Sequence, residues 1–167
     1  MSQKLQRITQ CLWFQSHEQT EAAVALYTSV FPHSRVITRT KYTEQSSGPS
    51  GQPPGAVMTV LFALDGQELL ALNGGPHFKF NEAMSLIVNC ESQAEVDHYW
   101  ARLSEGGDEK AQQCGWLKDR FGVSWQVVPT ELTQLLANSP PEKGARVTAA
   151  LFKMKKLDLD ALRRAAG

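Results

Sequence analysis

VMTVLFALDGQELLALNGG, residues 57–75, is the stretch whose reading decides the fold. Two apolar runs flank Asp65-Gly66. Asp-Gly between such runs signals a two-residue type I′ turn, because both central positions need positive φ. That turn pairs Leu64 with Gln67, Phe62 with Leu69, Val60 with Ala71 and Met58 with Asn73, all on one face. Thr59, Leu61 and Ala63 fall on the other face with Glu68, Leu70 and Leu72. Both faces are largely apolar, so the hairpin is expected to be covered on both sides. Asn73 is the polar exception on the first face.

Working outward, residues 7–14 read as a strand rich in large apolar groups. Thr20 is the expected N-cap of a helix over 21–31, with Ala22, Ala23, Leu26, Tyr27 and Val30 on one stripe. Pro32 stops it. Residues 34–42 alternate through Val36, Thr38, Thr40 and Tyr42, as a strand does. Residues 43–55, rich in Ser, Gly, Pro and Gln, read as a flexible loop. After the hairpin, Gly74-Gly75-Pro76 breaks the strand and leads into His77, Phe78, Lys79 and Phe80. A strand is expected over 83–90, then a helix from Ser92 to Leu103 with Val96, Tyr99, Trp100 and Leu103 inward. Gly106-Gly107 ends it. Strands are expected over 111–118 and 124–128, joined at Arg120-Phe121-Gly122. Thr130 caps a short helix to Asn138, Pro140-Pro141 break it, and a helical tail runs from about Glu142 with a break near Asp158. Strand–helix–strand–strand–strand thus occurs once and returns with shorter strands. Two such halves side by side make one curved sheet with helices outside and a cleft inside.

The chain has 167 residues, with 17 basic and 17 acidic side chains. That length buries roughly 70% of the unfolded surface, so folding needs no metal or disulfide. The charge balance argues against nucleic acid as a partner. No apolar run reaches the ~18 residues of a membrane span, and the N-terminus shows no signal-peptide core. Three cysteines without a Cys-x-x-Cys pair fit reduced thiols in a cytoplasm.

Several segments resemble a known family: ITQCLWF (8–14), LYTSVFP (26–32), ALNGGPHFKF (71–80), VNC (88–90) and CGWLKDRFGVSWQVVP (114–129), with MKKLD (154–158) also fitting. They are similar to the vicinal oxygen chelate superfamily of glyoxalases, bleomycin-resistance proteins and dioxygenases, and within it to the PhnB-like branch. That branch often carries the label 3-demethylubiquinone-9 3-methyltransferase. The resemblance implies an α+β fold of two βαβββ modules, over 7–75 and 83–129, with a helical tail over 130–167. It also implies a homodimer.

Enzymes of the superfamily hold a divalent metal with His, Glu or Gln on matching strands. The corresponding positions here are Thr9, Asn73, Ser85 and Gln126. None is a histidine or a carboxylate. Hydroxyls and amides offset the desolvation of a divalent ion poorly, so no metal and no other cofactor is expected. The label's reaction needs adenosylmethionine, whose usual site begins with a glycine-rich turn between a parallel strand and a helix. Gly74-Gly75 follows a hairpin strand and leads into Pro-His.

Two readings remain for the inward positions. Thr9, Cys11, Trp13, Asn73, Ser85 and Gln126 line a pocket for a small apolar or aromatic ligand, or they pack and bond to each other. His77 is the histidine candidate for base or ligand contact, against a plain surface role. His17, His33 and His98 read as solvated. Cys11 as a nucleophile is weighed against Cys11 as a small apolar residue. Trp116 and Trp125 read as core. A metal-dependent lyase, isomerase or dioxygenase, and the methyltransferase of the label, stand as the alternatives.

Overall fold

The computed structural model describes residues 5–137 and 139–167. The chain forms two compact units that divide between Phe80 and Asn81.

In the first unit, β1 (Gln10–Phe14), α1 (His17–Val30), β2 (Arg35–Lys41), α2 (Glu44–Ser50), β3 (Val57–Leu64) and β4 (Gln67–Asn73) follow in order. The hairpin forms in the expected register, with Leu64 opposite Gln67, Phe62 opposite Leu69 and Val60 opposite Ala71. Asp65 and Gly66 both take positive φ, 45° and 83°, as a type I′ turn demands. β4 then pairs in parallel with β1, and the sheet order is β1-β4-β3-β2. Leu12, Phe14, Val60, Phe62, Leu69 and Ala71 are buried on one face beside Ala23, Val24, Leu26, Tyr27 and Val30 of α1. Tyr27 stacks on Phe62 at 6.5 Å between ring centroids.

Four expectations need correction in this unit. β1 starts at Gln10, three residues later than read. α1 starts a turn early: its N-cap is Ser16, whose hydroxyl accepts from the Gln19 N–H. Thr20 is buried instead and donates to the Ser16 carbonyl at 2.8 Å. The polar run read as a loop contains α2, opened by a capping box in which Thr43 and Ser46 satisfy each other's backbone. Serine density hid a helix because serine favours caps as much as turns. Finally, β2 slips register between Val36 and Thr38 and again after Thr40. The irregularity puts Val36 opposite Phe62 and Thr38 opposite Leu61, so the alternating stripe read from sequence is split between two faces.

The second unit contains β5 (Leu86–Cys90), α3 (Gln93–Ser104), a 3-10 turn (Glu109–Ala111), β6 (Trp116–Lys118) and β7 (Ser124–Pro129). Its sheet order is β5-β7-β6, with β5 and β7 parallel. The strand expected over 111–118 shrinks to three residues. Before it lie the 3-10 turn and a tight reversal at Cys114 and Gly115, both at positive φ. Where the first unit has β2, the described residues of the second have this turn segment. β5 begins at Leu86 rather than at residue 83. Val88, Cys90, Trp125 and Val127 are buried on one face, with Val96 and Leu103 of α3 also buried.

The tail is three helices, α4 (Thr130–Ala137), α5 (Pro141–Leu151) and α6 (Leu159–Ala166). The expected helix end at Asn138 lies outside the described residues. Leu132, Val147, Leu157, Leu162 and Ala166 make one apolar cluster, against which Val128 of β7 packs. Backbone bonds from Cys114 N to Met154 O and from Gly115 N to Lys155 O, both 2.8 Å, join the tail to the sheet. No helix among the described residues is long and apolar enough to cross a membrane.

The β6–β7 connection is held by one buried carboxylate. Asp119 Oδ1 accepts from the N–H groups of Phe121 (2.9 Å) and Val123 (3.0 Å). Its Oδ2 accepts from Trp125 Nε1 at 2.8 Å. Asp119→Ala strands these donors, and buried unpaired groups cost about 1–3 kcal/mol each. A loss of about 3 kcal/mol is expected, read as a melting temperature lower by about 6–12 °C.

Candidate functional site

Each sheet has a second face, turned away from its helix. In the first unit, strand alternation and register put Cys11 and Trp13 of β1 on it, opposite Leu70 and Leu72 of β4. Thr59 and Leu61 of β3 follow, then Thr38 and Thr40 of β2. Leu61, Leu70, Leu72 and Trp13 are half-buried there, while Cys11 is exposed. The hydroxyls of Thr40 and Thr59 bond across the strands at 2.6 Å. Sequence reasoning missed the two β2 threonines as face residues, because only the register slip turns them there.

Trp13 is used by the fold itself. Its indole N–H donates to the Gly75 carbonyl at 2.9 Å. The ring also lies so close to Gly74 that a Cβ there would sit 2.1 Å from Trp13 Cε2. Phe78 meets the same ring edge-on at 4.9 Å. Trp13 therefore pins the Gly74–Phe78 loop that presents His77, which is exposed. Thr9 precedes β1; its Oγ1 accepts from Gln6 Nε2 at 3.4 Å.

Asn73 is not with Trp13. It lies opposite Phe14 on the helix-side face and is fully buried. Its Nδ2 donates to the carbonyls of Val57 (3.0 Å) and the Gln52 side chain (3.1 Å). Its backbone carbonyl accepts from Tyr42 Oη at 2.5 Å. Asn73 thus ties the α2–β3 segment to the end of β4.

In the second unit, Ile87 lies opposite Gln126, and Trp116 lies opposite Gln126 on the other side. Gln126 Nε2 donates to Ser85 Oγ at 2.8 Å. Ile87 leaves 56% of its surface exposed beside them. Ser124, two residues from Gln126 on β7, is buried, and its Oγ has no hydrogen-bond partner among the described residues. Lys118, opposite Ser124, pairs with Glu82.

Two of the thiols, Cys11 and Cys90, are poor nucleophiles here. Cys11 is exposed at the surface, yet neighbouring groups partly desolvate its thiol and raise its pKa above the ordinary value. Burial, with a smaller contribution from Glu95, pushes Cys90 up to about 12. A thiol kept protonated attacks slowly.

Among the described residues, no three His, Cys, Asp or Glu side chains converge as a metal ion needs. The donors at the superfamily positions are hydroxyls and amides, and Asn73 spends its Nδ2 inside the core. This donor set does not fit the divalent ion of the superfamily's enzymes.

Residues 6–128 match the family model described as 3-demethylubiquinone-9 3-methyltransferase. A PhnB protein from Bacillus cereus, provisionally assigned that same activity, is 33% identical, with a TM-score of 0.64. The match covers 75% of this chain and 100% of that one. The chain therefore belongs to this family, the PhnB-like branch of the glyoxalase or vicinal oxygen chelate superfamily. A Pseudomonas aeruginosa protein (21% identity, TM-score 0.57, covering 75% of this chain and 98% of that one) shares the fold. So does the fosfomycin resistance protein FosX from Listeria monocytogenes (14%, 0.52, 80% and 97%). No curated protein matches the chain.

Gly74→Ala drives a methyl group into the Trp13 ring, and overpacking of this kind costs about 1–3 kcal/mol. The melting temperature should fall by about 2–12 °C. In the Trp13→Ala background the same substitution should cost far less, and a double-mutant cycle reads the difference.

Proposed function

We propose that the chain binds a small apolar or aromatic metabolite on the open faces of its sheets, without a superfamily-type metal. The observation that carries this reading is the face of Ser85, Ile87, Ser124 and Gln126. It joins an exposed apolar side chain to a hydroxyl–amide pair and a buried, unpartnered hydroxyl. Its hydroxyls and amide are neutral, and Lys118, opposite Ser124 on the same face, has its charge paired with Glu82. An apolar surface with a few convergent neutral groups orients an uncharged or weakly polar ligand. On the first unit, the face of Cys11, Trp13, Leu61, Leu70 and Leu72 supplies apolar contact, with Thr9 and His77 as the candidate polar contacts. Asn73 enters only through the loop it holds.

A homodimer in the cytoplasm belongs to this reading. Ile8 and Met84 are large apolar side chains left 88% and 66% exposed, and covering them at a subunit contact would remove apolar area from water. Sedimentation at micromolar concentration should give twice the chain mass, and Ile8→Glu with Met84→Glu should return the chain mass.

The ligand class is read by a thermal-melt panel on chelator-treated protein, with divalent metals, adenosylmethionine and a small-metabolite library. A ligand at 100 times its Kd adds about 2.7 kcal/mol, a rise of about 5–11 °C for a chain of this size. The expected outcome is a metabolite response that Gln126→Ala weakens, with no metal response. A metal-specific rise would move the protein to the metal-dependent lyases, isomerases or dioxygenases. A saturable rise with adenosylmethionine would support the methyltransferase of the family description.

A further inference from the structure

The second unit has a concavity that neither Ser85 nor Gln126 lines. Its volume is about 410 Å³, and its walls are Glu82, Ala111, Gln113, Cys114, Trp116 and Phe152. Small-ligand pockets run from roughly 300 to 1,000 Å³. The groove sits beside β6, where the first unit carries β2 and the second carries the 3-10 turn. One wall comes from outside the family match: Phe152 follows α5 in the tail, beyond residue 128, where that match ends.

Its chemistry is specific. Trp116 is half-buried and Phe152 leaves 62% of its surface exposed, so two aromatic rings offer flat apolar area. The charged group in the lining is Glu82. Lys118 sits on its Oε1 and holds its carboxyl below the ordinary carboxylate range. Glu82 is therefore ionised near neutral pH and only accepts hydrogen bonds. A carboxylate offers about four lone-pair positions, and Lys118 takes one of them. Gln113 adds an amide to the same wall. An anion would meet repulsion from Glu82. A purely apolar molecule would leave the carboxylate dehydrated without a donor.

We propose that this groove binds a planar aromatic molecule carrying an O–H or N–H donor, with its ring against Trp116 and Phe152 and its donor on Glu82. The groove shares Trp116 with the open face, where Trp116 lies opposite Gln126, but it is lined by neither Ser85 nor Gln126 and does not need them to bind.

The probe is 2-naphthol at neutral pH, with 2-methoxynaphthalene as the ring without a donor. Binding is read by calorimetry and by the rate at which iodoacetamide alkylates Cys114, followed by peptide mass spectrometry. Cys11, on the other unit, is the reference thiol. At ten times its Kd, 2-naphthol should slow Cys114 alkylation about tenfold and leave Cys11 unchanged. The methoxy compound should bind about tenfold more weakly, the loss expected for a hydrogen bond to a charged acceptor. Phe152→Ala and Glu82→Ala, both at exposed positions, should each weaken 2-naphthol about tenfold while keeping the wild-type melting temperature. Saturation without protection of Cys114, equal affinity for the two compounds, or unchanged affinity in both variants would overturn the proposal. Loss of Cys11 alkylation in place of Cys114 would assign the compound to the open face of the first unit, and a tenfold loss of affinity in Gln126→Ala would assign it to that of the second; either would overturn the proposal.

Discussion

The two-residue turn at Asp65-Gly66 is the constraint on which the first unit depends. Side chains alternate with a period of two, so a slip of one residue exchanges the faces of a strand. Positive φ at both turn positions fixes the pairing of β3 with β4. That pairing sends Val60, Phe62, Leu69 and Ala71 toward α1, and Leu61, Leu70 and Leu72 to the other side. β1 then adds in parallel to β4 and inherits the same sidedness, with Phe14 inward and Trp13 outward. The second unit repeats the parallel pairing with β5 and β7, and there Val88 and Val127 go inward while Ile87 and Gln126 go outward.

This sidedness explains how open-face groups and core groups come to share short segments. Trp13 and Phe14 are neighbours, yet Phe14 is core and Trp13 clamps the loop after β4. Leu72 and Asn73 are neighbours, yet Leu72 lines an open face and Asn73 is a buried bracket for Val57 and Gln52. Asp119 plays the bracket's part in the second unit, where one carboxylate satisfies two backbone amides and an indole. Each unit thus spends a buried polar side chain on fixing a loop, and its open face sets neutral polar groups beside apolar ones, with Lys118 on the second paired to Glu82.

Much of this was legible in the sequence. The hairpin register, the inward face of α1 at Ala23, Leu26, Tyr27 and Val30, and the family followed from spacing and motifs. The hairpin pattern had already put Asn73 on the face of Val60. Grouping it with Thr9 and Trp13 followed the superfamily's ligand positions, and the structure separates them. What escaped was of two kinds. Local chemistry is degenerate: Ser16 and Thr20 are both good caps, and a run of serines serves α2 as readily as a loop. Tertiary contact is invisible along the chain: no pattern tells that Gly74 must lack a side chain because Trp13 lies on it. Nor does any pattern show that Phe152, far along in the tail, shares a groove with Trp116.

The claim at the centre of this account is that ligand meets the faces turned away from the helices. Backbone and side-chain amide shifts of isotope-labelled protein, titrated with a metabolite that raises the melting temperature, test it most directly. The account predicts saturable shifts at Ser85, Ile87 and the Gln126 side-chain amide, or at Leu61, Leu70 and Leu72, with little change at Val24, Tyr27, Val96 and Leu103. Shifts concentrated at those helix residues, with the open-face strands unmoved, would contradict it.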